Sequence, residues 1–257
     1  MPSSDQPRVM IGIPAYNEQE HIAAVVRNAS RFGKVVVVDD GSQDLTAYRA
    51  QKAGATVIRF TRNHGKGAAA ATLFEEARAS RVDFLVLIDG DGEHDPTEIP
   101  SVLAPCMNGK ADIVVGSRYL SIRNDIPRHQ NVRQRMFNAL TSFASGVRCS
   151  DSQSGFRAFN RRAIASIHFD ETAFSVESEQ QFEVKRNGLR IAEVPITCTY
   201  DTDASASPWH HYAVILYRLG AMTYRRRVLG VGQIKPIEVV TPERVTSPVA
   251  GAKVEHR

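Results

Sequence analysis

Residues 85–96, LVLIDGDGEHDP, change abruptly from apolar to acidic. The uncharged run stops at Asp89, and from there an acid occupies every second position, with Gly90 and Gly92 between the first three. A short apolar run without polar alternation is typical of a strand buried on both faces of a sheet. The sequence therefore predicts concentrated negative charge where a buried strand ends. The four acids are Asp89, Asp91, Glu93 and Asp95.

Similar short runs rich in Val and Ile recur along the chain, and amphipathic patterns separate them. In these patterns the apolar residues follow the i, i+3, i+4, i+7 spacing of a helix. Alternating strands and helices predict an α/β fold with a mostly parallel central sheet flanked by helices. The predicted strands are 9–13, 34–40, 56–60, 84–89, 112–116 and 190–196, and the helical patterns are Ile22, Val25, Val26, Ala29 and Ala70, Leu73, Phe74, Ala77.

Polar clusters follow each of the first four predicted strands. Open sheets of this class bind ligands beyond the carboxyl ends of their strands. One polar cluster alone would be ordinary turn chemistry, but four in succession indicate a binding site at this edge. The clusters are PAYNE (14–18), DDGSQD (39–44), RNHGKG (62–67) and the acidic quartet.

The composition favours one principal domain, because 42% of the 257 residues are hydrophobic and can form a substantial core. The net charge of +4 is too small to indicate a nucleic-acid-binding protein. Cys106, Cys149 and Cys198 are widely spaced, which favours neither a zinc site nor a disulfide framework and agrees with a cytoplasmic setting. The sequence predicts neither a signal peptide nor a membrane-spanning helix.

The chain is predicted to have four parts: a tail over 1–8, the principal domain over 9–204, an amphipathic helix over 205–230 and a flexible tail over 231–257. The segment 209–230 has an aromatic and aliphatic face and a basic run at 225–227. Such a helix is expected to lie on an anionic membrane surface, at the cytoplasmic face. Packing of this helix against the principal domain is the alternative.

The acidic quartet suggests a metal site. Residues two apart on an extended segment project to one side, so Asp89 and Asp91 would repel each other unless a cation binds them. Hard oxygen ligands suit Mg²⁺ or Mn²⁺, which usually also bind the phosphate oxygens of a substrate. A nucleotide diphosphate is therefore the expected ligand. The alternative is a solvated acidic loop that caps a helix beginning at Pro96.

Other known binding loops fit the sequence less well. An EF-hand is excluded because His94 and Pro100 stand where that loop needs Gly and Glu. A dinucleotide fold is not supported because no GxGxxG follows the first strand, and GKG (65–67) is too short for a P-loop.

Seven motifs follow one another along the chain: IPAYNE, VVVDDGSQD, NHGKGAA, IDGDGEHDP, ADIVVGSRY, DSQSGFRAF and GLRIAEVPI. In this order they resemble the inverting GT-A glycosyltransferases of the dolichol-phosphate mannose synthase type, which transfer a sugar to a polyprenyl phosphate. The resemblance spans roughly residues 9–200 and implies that 9–204 is a GT-A catalytic domain.

The resemblance implies a role for several residues. Asp89 and Asp91 match the DxD that binds metal and donor diphosphate, and Glu93 stands where the mannose synthases carry Gln and is a further metal ligand. Arg118 matches an arginine that faces the acceptor phosphate, and Arg133 matches a second one. Arg128 and Arg135 remain rivals of Arg133. The remaining residues assigned to the nucleotide-sugar donor are Pro14, Tyr16, Glu18, Asp39 or Asp40, Lys66 and Gly90; for Lys66, a solvated side chain is an equal alternative.

The function expected from this resemblance is metal-dependent, inverting transfer of a hexose from GDP-mannose, UDP-glucose or UDP-N-acetylglucosamine to a polyprenyl or dolichyl phosphate. Because the acceptor phosphate is already an anion, this reaction needs no strong general base. Two alternatives remain. Transfer to a hydroxyl acceptor would need a base, such as Glu177 or Glu179. A non-catalytic protein could use the same fold only to bind a sugar nucleotide.

Overall fold

The structure is a computed structural model and describes residues 6–120, 138–139, 141–143, 145–169, 176–199 and 243–244. Strands are formed by residues of the predicted runs and by two further segments. They are β1 Val9–Ala15, β2 Lys34–Asp39, β3 Thr56–Arg59, β4 Phe84–Leu87, β5 Ile113–Ser117, β6 Arg157–Asn160, β7 Ile191–Pro195 and β8 Glu243–Arg244.

These strands form one sheet in the order β7-β5-β6-β4-β1-β2-β3-β8. Strands β4, β1, β2 and β3 pair in parallel, as do β5 and β7. Strand β6 runs antiparallel between β4 and β5, and β8 is antiparallel to β3. The predicted α/β fold with a mostly parallel sheet is confirmed, while β6 and β8 were not predicted.

Helices cover both faces of the sheet because successive strand residues point to opposite sides. Ile11 and Ile13 pack in one core with the helices over 22–29, 46–52 and 99–107. Met10 packs in a second core with the helices over 66–79 and 161–166. Every member of the two predicted helical patterns is buried. The helices are α1 Ile22–Ala29, α2 Thr46–Lys52, α3 Lys66–Ala79, α4 Ile99–Met107, α5 Arg161–Ser166 and α6 Val176–Arg186, and a 3-10 turn spans Pro96–Glu98.

The predicted membrane-surface helix over 205–230 lies outside the described residues, as does the tail except for β8. Within the part of the chain that the structure describes, no helix is long and apolar enough to cross a membrane.

Candidate functional site

A cavity of about 300 Å³ lies where the carboxyl ends of β1, β2 and β4 meet the start of α3. This is the edge at which open α/β sheets bind ligands. The cavity brings together nearly all the residues assigned to the donor, although they come from four separate segments. Its lining consists of Pro14, Ala15, Tyr16, Glu18, Asp40, Asn63, Gly65, Lys66, Ala69, Asp89, Gly90 and Asp91.

Hydrogen bonds fix the loop after β1 against the loop after β2. The backbone N–H of Asn17 donates to Ser42 Oγ at 2.9 Å, and that of Glu18 donates to Thr46 Oγ1 at 2.8 Å. Asn17 adopts a left-handed backbone with φ of 57°. The tight turn and its two anchors hold Glu18 at the rim of the cavity.

Asp40, rather than Asp39, faces the cavity. Asp40 also accepts hydrogen bonds from the backbone N–H groups of His64 and Gly65 at 2.7 and 2.8 Å, which fixes the loop before Lys66. Asp39 is fully buried beneath the loop. Its Oδ2 lies 3.0 Å from Arg59 Nε, an ion pair without hydrogen-bond geometry. The geometry therefore favours a ligand role for Asp40 and a structural role for Asp39.

The acids of the cavity repel one another. Burial, and then the neighbouring Asp91, raise the pKa of Glu18 to about 7. Burial and Asp89 likewise raise the pKa of Asp91, and burial is the main cause of the raised pKa of Asp40. Asp89 differs: burial opposes its ionisation, but Lys66, His94 and Arg118 together outweigh this effect and lower its pKa.

Lys66 forms two ion pairs at the edge of the cavity. Its Nζ lies 2.8 Å from Asp89 Oδ1 and 2.9 Å from Glu177 Oε1 on α6. Glu177 Oε1 is therefore held by an ammonium group rather than open to the cavity. The side chain of Glu179, the other candidate base, lies outside the described residues.

Arg118 follows β5 and is oriented by a buried carboxylate. Its Nε and Nη2 donate to Asp151 Oδ2 and Oδ1 at 2.7 and 2.9 Å, and its backbone N–H donates to Oδ2 at 3.1 Å. Asp151 is fully buried. Arg118 does not line the cavity, yet it is near enough to help lower the pKa of Asp89. A bidentate pair of this kind fixes the plane of a guanidinium.

The loop that carries Asp151 is itself fixed by Glu193 of β7. Glu193 Oε1 accepts hydrogen bonds from the backbone N–H and the hydroxyl of Ser150 at 2.8 and 2.7 Å. Ser150 also shares a hydrogen bond with Ser117 at the end of β5. The other predicted acceptor arginines, Arg133 with its rivals Arg128 and Arg135, lie outside the described residues.

The sequence pattern described as Glycosyl transferase family 2 matches residues 10–167, more than half of the chain. The chain belongs to this family. The family 2 assignment agrees with the motifs that follow β1, β2 and β4, and it identifies the protein as a glycosyltransferase. The predicted resemblance to polyprenyl-phosphate glycosyltransferases is also confirmed, because relatives of that type are more than 30% identical to the chain.

Two such family 2 relatives cover most of the chain. The UDP-N-acetylglucosamine–dolichyl-phosphate N-acetylglucosaminyltransferase of Methanococcus voltae is 32% identical over 73% of this chain and 84% of its own. The polyprenol monophosphomannose synthase of Mycolicibacterium smegmatis is 31% identical over 75% of this chain and 77% of its own.

A solved structure shares the fold. Glucosyl-3-phosphoglycerate synthase from Mycobacterium tuberculosis, solved with Mn²⁺, UDP and glucosyl-3-phosphoglycerate, matches with a TM-score of 0.65 at 22% identity. The match covers 86% of this chain and 80% of that chain. It confirms the predicted GT-A architecture.

The DxD acids of this family 2 chain have the chemistry of a divalent-cation site. Asp89 and Asp91 both line the cavity and supply hard oxygen ligands. Burial, and then repulsion from Asp89, raise the pKa of Asp91, and a bound cation would offset both effects. Glu93 is turned away from the cavity, with Oε2 3.8 Å from Cys198 Sγ. Within the described ranges, no three His, Cys, Asp or Glu side chains are already grouped to hold a metal ion. Two of the three predicted metal ligands therefore face the cavity.

The motif DSQSGFRAF contributes residues to which the sequence analysis assigned no role. A Cβ on Gly155 would lie 2.1 Å from Asp89 Oδ2, closer than side chains pack, so any other residue here would displace the carboxylate from its present position. Arg157 is buried and donates to Ser152 O, Ser154 O and the backbone of α6. The sequence does contain a sign of this role, because Arg157 stands within the short apolar segment FRAF. An arginine buried in such a segment needs several hydrogen-bond partners.

Glu18→Gln is expected to stabilise the protein increasingly as the pH rises. The pKa of Glu18 is about 7 in the folded protein and about 4.5 when unfolded, so the folded state binds more protons between these values. Ionised Glu18 thus costs stability from about pH 4.5 upward, with the full cost reached above pH 7. We expect Glu18→Gln to gain about 1–3 kcal/mol in the free energy of unfolding at pH 8 and little at pH 4.

Urea unfolding at both pH values, in the presence of a chelator, measures this gain. Glu20→Gln, at an exposed position of the same loop, is the control and should give the same difference from wild type at both pH values. A Glu18→Gln protein whose stability gain does not increase with pH would contradict the prediction.

Proposed function

We propose that this glycosyltransferase moves a hexose from a nucleotide diphosphate sugar to a polyprenyl phosphate, in a metal-dependent reaction that inverts the anomeric centre. The observation that carries the proposal is the single cavity that collects Tyr16, Glu18, Asp40, Asp89 and Asp91. The names of two relatives support the acceptor, since one acts on a dolichyl phosphate and the other makes a polyprenol monophosphomannose.

In this proposal the donor nucleoside binds against the loops after β1 and β2. Tyr16 is 42% exposed and lies at the cavity, where its ring can stack on a base or ribose. Pro14 and Gly90 contribute uncharged surface to the cavity lining. Asp40 can accept hydrogen bonds from the nucleoside. The diphosphate would then lie toward Lys66 and Asp91.

Asp89 and Asp91 would hold Mg²⁺ or Mn²⁺, with Glu93 as a further ligand after a change of side-chain position. A bound divalent cation offsets the negative charge that develops on a departing diphosphate. Lys66 can contribute to the same end, because its ammonium already lines the cavity.

Arg118 would bind the acceptor phosphate. Asp151 fixes the guanidinium in advance, so little reorganisation is needed when the phosphate arrives. The ion pair between Glu177 and Lys66 also favours a phosphate acceptor over a hydroxyl acceptor, because Glu177 Oε1 already contacts an ammonium and is not placed to take a proton from a hydroxyl. The acceptor oxyanion then attacks the anomeric carbon directly.

A polyprenyl phosphate resides in a membrane, so the enzyme must reach a membrane surface. We propose that the predicted helix over 205–230 provides this contact from the cytoplasmic side, through its basic run at 225–227 and its apolar face.

The test is a matrix of donors and acceptors. GDP-mannose, UDP-glucose and UDP-N-acetylglucosamine are each offered with Mg²⁺ or Mn²⁺ and a short polyprenyl phosphate, and the lipid product is measured. The matched acceptor control is the same polyprenol without its phosphate. We expect one donor to yield a sugar–phosphate–lipid product, and a chelator to abolish it. Transfer to a hydroxyl acceptor such as 3-phosphoglycerate, with none to polyprenyl phosphate, would overturn the proposal.

A further inference from the structure

Lys66 contacts the same carboxylate that the proposed metal ion needs. Its Nζ binds Asp89 Oδ1 at 2.8 Å, and Asp89 Oδ2 packs against the backbone of Gly155. The carboxylate is thus enclosed between a glycine and an ammonium group. A cation that approaches Oδ1 from the cavity would be repelled by the ammonium of Lys66, which lies only 2.8 Å from the same oxygen.

We propose that Lys66 is an internal counter-ion that occupies Asp89 in the absence of donor and moves to the donor diphosphate when it binds, which frees Asp89 for the metal. This inference rests on the proposed function. Its consequence is that the metal alone binds weakly and that nucleotide and metal bind cooperatively.

The charges of the cavity explain why such a counter-ion is needed. Its lining carries four carboxylates, those of Glu18, Asp40, Asp89 and Asp91, against the single ammonium of Lys66. Without ligand, Lys66 offsets part of this charge. A metal with a diphosphate would bring both a new cation for the carboxylates and new anions for the lysine.

The position of Lys66 allows this exchange. Its side chain is 44% exposed and flexible, whereas Glu177 is only 10% exposed. Glu177 can retain one contact with the lysine after Asp89 is released. Lys66 also begins α3, directly after Gly65, whose φ of 91° sets the turn.

Mn²⁺ binding without nucleotide tests the inference, because it needs no transfer reaction. Titration of the wild-type protein and of Lys66→Met, followed by the electron paramagnetic resonance signal of free Mn²⁺, gives the dissociation constants. We expect Lys66→Met to bind Mn²⁺ about 10-fold more tightly, a change within the usual range of coupling between sites. Lys66→Arg keeps the charge and should remain within about twofold of wild type.

A matched control distinguishes the loss of the contact between Lys66 and Asp89 from the loss of one positive charge near the cavity. Arg62→Met removes one positive charge from an exposed residue of the same loop that does not line the cavity. We expect it to change Mn²⁺ affinity by less than about twofold, because exposed charges are screened. Circular dichroism and thermal unfolding verify that each variant is folded.

The same titrations are then repeated with saturating UDP and GDP. For the nucleotide that binds, the ratio of Mn²⁺ affinities with and without nucleotide should be about 10-fold smaller in Lys66→Met than in wild type. An unchanged ratio, or an equal effect of Arg62→Met, would overturn the inference while leaving the proposed function intact. If neither nucleotide binds wild type with Mn²⁺, the proposed function itself fails.

Discussion

Replacement of Asp91 by alanine is expected to abolish sugar transfer while leaving the protein folded. Asp91 lines the cavity, and among the residues that the structure describes its side chain forms one hydrogen bond, which Oδ1 accepts from Glu93 N at 2.9 Å. Burial and repulsion from Asp89 raise its pKa, so its ionised form stabilises the fold little. Without Asp91 the metal ion is not held, and the transition state loses several kcal/mol of charge stabilisation. This loss corresponds to a decrease of about 10³-fold in kcat/KM.

Asp95→Ala is the matched control within the same acidic quartet. Asp95 is exposed, and its Oδ1 accepts from Thr97 N at 2.9 Å, where it caps the 3-10 turn. Its loss should cost about 1 kcal/mol of stability and leave transfer intact. Asp91→Ala should therefore lose transfer and keep its stability, whereas Asp95→Ala should keep transfer and lose some stability. A transfer assay and thermal unfolding measure the two effects. Undiminished transfer by Asp91→Ala, or an equal loss in Asp95→Ala, would contradict the assignment.

Gly155→Ala is expected to reduce transfer by about 100-fold although no ionisable group is changed. The new Cβ would lie 2.1 Å from Asp89 Oδ2 and 2.5 Å from its Cγ, so the carboxylate must rotate away. Rotation relieves the clash at modest cost in stability, but it displaces Asp89 from Lys66 and from the cavity. Misplacement of a positioning group by about 1 Å can reduce a rate by two orders of magnitude.

Gly109→Ala is the control for this substitution. Gly109 has a φ of +66° and open space around it, so alanine there costs about 1–2 kcal/mol of stability through the backbone alone. We expect it to keep its transfer activity below its melting temperature. Steady-state kinetics and thermal unfolding of both variants provide the comparison, and wild-type kinetics in Gly155→Ala would show that the close contact is unimportant.

The sequence allowed the strands and most of the cavity to be predicted, because both depend on short periodic patterns. Apolar runs located β1 to β5 and β7, and the spacing of two residues correctly predicted that Asp89 and Asp91 face one side. Glu93, which the family resemblance assigned to the metal, does not line the cavity. Gly92 has a φ of +79°, so the chain is not extended at this residue. Side chains after Gly92 therefore no longer alternate between the two sides of the segment.

Other features depend on contacts that a single sequence does not encode locally. Asp39 and Asp40 are adjacent acids, and only the three-dimensional position of the end of β2 decides that Asp40 faces the cavity. Strand β6 escaped prediction because it has four residues and begins with a charged one, Arg157. The ion pair of Lys66 with Glu177 joins α3 and α6, which are far apart in sequence.

Because β6 pairs directly with β4, in the antiparallel direction, the edge of the sheet at Asp89 does not depend on the length of the chain between these two strands. Leu87 of β4 pairs with Arg157, and extending this pairing by two residues sets Gly155 opposite Asp89. Strand registration, rather than the intervening loops, thus brings the two together. Insertions between these strands would therefore leave Gly155 opposite Asp89. A single deletion within β6 that keeps Asn160 paired with Phe84 would instead set Ser154 opposite the aspartate, and we expect it to inactivate the enzyme although every side chain of the DxD is retained.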